Sequence, residues 1–150
     1  MTASYAPSSL PDPATQAEFY EGVPYKRLLA WVVDAIIISA ITVVVVPFTA
    51  FTAIFYLPFL VMIISFIYRW LTIASRSSTW GMRLLAIEFR NDAGHRLDSG
   101  EAALHTLGYS LSWAIFPAQL ASAIMMCVTE RGQGLTDFAL NTTAINKPAA

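Results

Sequence analysis

The chain has 150 residues, 56% of them hydrophobic and 13% charged, with a mean hydropathy of +0.56. Soluble domains carry roughly a quarter charged residues, so this composition is that of a membrane protein, and the length fits one domain. A net charge of −1 with nine scattered basic residues excludes a nucleic-acid footprint, and the single Cys127 excludes an internal disulfide or a multi-cysteine metal site.

The first 25 residues carry four prolines, no Lys or Arg and no apolar core, so they cannot be a cleavable secretory signal and are expected to form a flexible polar tail. Thr2 is not the glycine of N-myristoylation, and "NKPAA" is not a prenylation box. Anchoring is therefore expected from the spans themselves.

From Ala35 to Tyr68 no residue is charged, a run of 34. A helical span needs about 20 residues, so two crossings fit only if the first begins near Leu28. Span one is thus expected over 28–46, with Pro47 at the turn, and span two over 53–73, with Pro58 in its first turns, where proline is tolerated. Asp34 is forced inside span one. Lys26 and Arg27 precede that span, and Arg69, Arg76, Arg83, Arg90 and Arg96 come at and after the end of span two, so both flanks are predicted cytoplasmic.

After span two, "LLAIEF" partly alternates apolar with polar and "NDAG" has turn chemistry. A cytoplasmic β-hairpin is predicted, with a strand near 84–90 and a return near 95–98. Asp98, three residues before Glu101, has the spacing of a capping box and opens a helix. Ala102 to Thr129 is again without formal charge and carries Pro117 in its middle, so it either crosses once or folds back as a re-entrant hairpin. Gly108 and Ser112, then Ala118 and Ser122, are small residues four apart, as in close helix packing. The C-terminal "TTAIN" has β-forming character and could instead pair with "LLAIEF"; that pairing requires the re-entrant option. The fold class expected is an all-α membrane bundle of about three transmembrane helices with a small cytoplasmic β-hairpin between the second and third.

Arg27 and Asp34 lie seven residues apart, on one helical face and about 10 Å apart in depth. A carboxylate there costs on the order of 3 kcal/mol on insertion scales, so it should face the bundle interior. Its partners are sought among Arg83, Arg131, Ser39 and a bound cation or proton. His95 and His105 lack an acidic or Cys partner at metal-ligand spacing and read as surface or interfacial histidines. Ser110 and Ser112 lack a nucleophile elbow, and there is no phosphate loop. Neither enzymatic activity nor a cofactor or metal is expected.

Three stretches together resemble the RDD family of small bacterial membrane proteins, named for an arginine and two aspartates. "KRLLAWVVDAII" supplies Arg27 and Asp34 at the family spacing. "SSTWGMRLLAIEFRNDAGHRLD" keeps Thr79, Gly81, Arg83 and the "DAG" turn, and "RGQGLTDFALNTTAI" keeps Gln133, Leu135, Asp137 and Thr142. Thr136 stands where relatives carry a histidine, Phe138 where they carry an arginine, Met82 for a lysine and Asn141 for a glycine, which thins the charge network. The resemblance implies a membrane domain over 24–146, between a tail at 1–23 and a short one at 147–150, in the bacterial inner membrane. It also points to transport, with sodium/proton antiport proposed for some members. Two readings are open. In one, an ion or small solute passes a site around Asp34, joined by Asp137. In the other, Arg27, Asp34, Arg83 and Asp137 form a purely structural network in a scaffold or accessory subunit. Either way, lipid contact and association with a second copy or a partner membrane protein are expected.

Overall fold

Helix α1 (Val23–Phe48) starts at Pro24, whose missing N–H falls where a helix has no partner for it anyway. Its 26 residues reach about 39 Å, enough for a hydrocarbon core of about 30 Å. The computed structural model describes residues 9–147; residues 1–8 and 148–150, parts of the two expected tails, lie outside the described residues. Pro47 sits in the last turn of α1, and the chain reverses just beyond it through Ala50 and Phe51, both in the left-handed conformation. One short 3-10 turn (Thr52–Tyr56) then leads into α2 (Leu57–Arg76), again opened by a proline, Pro58. The stretches Ala17–Phe48 and Thr52–Arg76 are long and apolar enough to cross a membrane. Both enclose the expected spans. Ile36, Val43, Phe55 and Phe59 stand exposed along them, as lipid-facing side chains do.

Ser77 ends α2 in the left-handed conformation and ties the helix end to residues 89 and 97. Its hydroxyl donates to the Phe89 carbonyl (2.8 Å) and accepts from the Leu97 amide (2.8 Å), while its own carbonyl accepts from the Phe89 amide (2.7 Å). Thr79 then caps the single-turn α3 (Trp80–Leu84), and β1 (Ile87–Asn91) comes next.

The predicted hairpin is corrected here. β1 pairs antiparallel with β2 (Thr142–Asn146), with Phe89 opposite Ala144, and the return strand near 95–98 does not form. The turn itself is present, with the Asn91 amide donating to the His95 carbonyl (2.9 Å). The return fails because its apolar residue, Leu97, is tied to Ser77 and Asp98 is already the cap of the next helix. "TTAIN" wins because its β-branched residues can be buried: Thr142, Thr143 and Ile145 are all inside.

Helix α4 (Ser99–Ala114) opens with the predicted capping box, Asp98 and Glu101 each bonding the other's backbone amide. The apolar run does not continue straight. It bends by 118° at Ile115, where Pro117 starts α5 (Phe116–Val128), so the described chain has two membrane-length helices, or three if this bent pair counts as one span. Helix α6 (Leu135–Leu140) ends at Asn141, which takes the left-handed conformation that asparagine, like glycine, tolerates.

The apolar core, including Val23, Ile73, Met82, Ile87, Phe89 and Ala144, lies where the start of α1, the end of α2, α3 and the sheet meet. It is therefore at one end of the bundle rather than between the spans. The part of the expected flexible tail that is described is tied to this end: Leu10 and Tyr20 are buried, and the Ser9 amide donates to the Asp92 carbonyl (3.0 Å).

Candidate functional site

Asp34 and Asp137 are both about 1% exposed, and each is held by its own set of donors. Around Asp34, Tyr68 of α2 donates its hydroxyl to Oδ1 (2.7 Å), the Gly81 amide donates to the same oxygen (2.9 Å) and Thr79 donates to Oδ2 (2.6 Å). Arg69 Nη1 stands 3.7 Å from Oδ2. The spacing Thr79-x-Gly81 serves this contact directly. Thr79 both caps α3 and reaches the carboxylate, and a Cβ on Gly81 would run into the Ala30 carbonyl of α1. Charge-assisted bonds of this kind are roughly twice as strong as neutral ones, so the clasp fixes α3 against α1.

Asp137 is held by Arg27, by His105 Nε2 (2.8 Å), by the Gly134 amide (3.0 Å) and by the Thr142 hydroxyl (3.2 Å). Burial raises its pKa, but the charge of Arg27 and the bonds from His105 outweigh burial and hold the carboxyl well below the usual range. Gln133 reinforces the same corner by donating to the Thr142 carbonyl (2.7 Å) and the Thr143 hydroxyl (2.9 Å).

The four-residue network expected from the sequence is thus split in two. Arg27 joins Asp137 and not Asp34. Arg83 joins neither, but donates to the carbonyls of Thr72 (2.9 Å) and Ser78 (3.2 Å) and to the Ser75 hydroxyl (3.0 Å), pinning α3 to the end of α2. Arg131 and Ser39 are not among the partners of Asp34. His105, read as a surface or interfacial histidine, is buried at Asp137. Thr136, standing where relatives carry a histidine, instead faces Gly108, where a Cβ would come within 2.6 Å of its methyl group.

Between the two clasps lies a cavity of about 660 Å³, within the roughly 300–1,000 Å³ of small-ligand sites. Helices α1, α2, α4, α5 and α6 all contribute to its wall, and both aspartates border it. One side is aromatic: Trp31 and Trp113 stack with ring centroids 5.8 Å apart, Tyr109 meets Trp113 edge-on, and the Trp31 indole donates to the Tyr109 hydroxyl (2.9 Å). Arg69, Thr106, Gln119, Ser122 and Thr136 add polar groups to the wall. Among the described residues, no group of three His, Cys, Asp or Glu side chains could hold a metal ion.

The model of the RDD family matches residues 22–141. The chain belongs to the RDD family. No curated protein and no solved structure matches it. In this RDD protein the signature arginine and second aspartate form one ion pair across 110 positions of sequence, and the first aspartate belongs to a separate clasp. Sequence reasoning missed Tyr68, Arg69 and His105. Arg69 reads as a flanking cation because it ends the uncharged run. Helix α2 continues to Arg76, which puts Arg69 about two turns inside; the helix-compatible "LTIASR" beyond it was the available signal.

Proposed function

We propose that this RDD protein is a small-solute transporter of the bacterial inner membrane, and that its site is the cavity beside Asp34 rather than the Asp34 carboxylate itself. The observation that carries this reading is the cavity with unsatisfied donors on its wall, flanked by two carboxylates that are already bonded into the protein. An aspartate already accepting from Tyr68, Thr79 and the Gly81 amide, with the Arg69 charge 3.7 Å from its less occupied oxygen, is a poor cation ligand. The carboxylates act as fasteners of the cavity wall. Mass spectrometry of protein purified in mild detergent should find a small molecule that Ala123→Phe, which fills the cavity from α5, fails to retain. If wild type releases nothing, and no solute from a broad panel stabilises it or crosses proteoliposomes, the reading is wrong.

The second reading is a scaffold or accessory subunit of a larger complex, with the Arg/Asp pairs purely structural. The bonding of both aspartates into the protein favours it. It requires a partner membrane protein to co-purify stoichiometrically.

For topology, we propose a cytoplasmic N-terminus and a re-entrant α4–α5 hairpin. Lys26 at the start of α1 bonds Asn146 of β2 (2.7 Å), and β2 pairs with β1, which lies beyond α2 in the chain. The start of α1, the Arg-bearing loop after α2 and the end of the described chain thus share one end, and the excess of Lys and Arg there supports the cytoplasmic side. A reporter fused after Ala150 should report from the cytoplasm.

A further inference from the structure

Arg69 is an arginine of the cavity wall with no hydrogen bond from any of its side-chain donors among the described residues. Arg27, which also borders the cavity, is committed through Nη1 to Asp137 and to the Gly132 carbonyl (3.2 Å). Arg69 is about 9% exposed and makes no side-chain hydrogen bond among the described residues; its Nε is buried without a partner. Its guanidinium contacts among those residues are the 3.7 Å approach to Asp34 and the Tyr109 ring, 4.2 Å from the guanidinium carbon. A guanidinium stacked on an aromatic ring is held flat, with its edge of N–H groups free to take a planar oxyanion by two parallel bonds. Buried donors left idle are costly, and native proteins rarely leave them so.

A second idle group lies on the same wall. Thr106 is fully buried, and its hydroxyl has no partner among the described residues. It precedes Tyr109 by three residues on α4, so the two share a helical face, and both border the cavity. The aromatic side formed by Trp31, Tyr109 and Trp113 continues from this polar spot into the apolar part of the cavity. A cation would meet the Arg69 charge, and a neutral alcohol offers the guanidinium fork one oxygen where an oxyanion offers two and a charge.

We propose that the cavity takes an oxyanion carrying an apolar body, its head seated on Arg69 and Thr106 and its body against Trp31, Tyr109 and Trp113. This rests on the solute-binding reading above and names the class of solute. Carboxylates and phosphate monoesters share the chemistry, whether they arrive as free solutes or as lipid headgroups.

The test uses the full chain in phosphatidylcholine nanodiscs and three probes differing only at the head: 4-phenylbutyrate, 4-phenylbutanol and 4-phenylbutylammonium. Calorimetry should show the butyrate binding at least tenfold tighter than the other two. Arg69→Lys keeps a positive charge beside Asp34 but loses the planar fork, and should weaken the butyrate about tenfold. Thr106→Val, which removes a buried, unbonded hydroxyl, should weaken it severalfold while thermal unfolding is unchanged or moves up. Equal binding of all three probes, or butyrate affinity untouched by both variants, overturns the anion assignment and leaves the cavity a solute site. Binding of none overturns both. Phosphatidic acid added to the bilayer should compete if the occupant is a lipid headgroup, and leave the butyrate affinity unchanged if it is a free solute.

Discussion

Asp34→Asn tests whether this carboxylate is a fastener or an ion ligand. The amide can keep its oxygen at the Oδ1 position and go on accepting from Tyr68 and the Gly81 amide. Its NH2 then faces the Thr79 hydroxyl, which loses an anionic acceptor, and Arg69, which loses the counter-charge within 4 Å of it. Losing a hydrogen bond to a charged group costs about 1.5–3 kcal/mol, and leaving a buried partner charge uncompensated brings such losses to about 3–5 kcal/mol. Interhelical polar contacts in membranes measure lower, so about 3 kcal/mol is expected. At about 2–4 °C per kcal/mol for a chain of this size, that lowers the midpoint of thermal unfolding by roughly 6–12 °C in detergent. Thr79→Val, which removes the same bond from the other side, should lose part of the same amount, and the double variant should fall short of the sum. An Asp34→Asn variant as stable as wild type would refute the clasp, and with it the claim that Asp34 is a fastener rather than a cation ligand.

Two further perturbations address the other contacts. Gly81→Ala should destabilise by about 3 kcal/mol, because its Cβ would strike the Ala30 carbonyl and come within 2.9 Å of Asp34; Gly100→Ala, which meets nothing closer than 3.3 Å, is the control in the same unfolding assay. Because the folded carboxyl of Asp137 is held below its ordinary value of 3.8, despite burial, by Arg27 and His105, the folded protein binds fewer protons than the unfolded chain as pH falls through that value. Stability should therefore be level from neutral pH down to about 5 and decline below about 4, and Arg27→Gln should lower it throughout and flatten the acid decline. An unaltered acid profile in the variant would show that the pair does not govern it.

Much of the architecture is legible in local sequence because it is set by local physics. Hydropathy and span length dictate where α1 and α2 run and force Asp34 into the first of them. The prolines at 24, 58 and 117 mark helix starts, and the Asp98/Glu101 spacing marks another. The motif residues Thr79, Gly81 and Asp137 are recognisable as special without their partners being known. What tertiary structure alone decided is who meets whom. Arg27 reaches Asp137 across 110 positions, and Thr79 reaches Asp34 across 45. Both pairings depend on how α1, α3, α4 and α6 dock, which no periodicity encodes. The same holds for the sheet. "HRLD" and "TTAIN" were both available to β1, and the choice fell to the segment that could bury β-branched residues while the other was tied to Ser77 and the α4 cap. Arg69 misleads for a related reason: one residue past an apolar run, a cation can flank the bilayer or lie within the helix, and only the docking of α2 against α1 and α4 sets which.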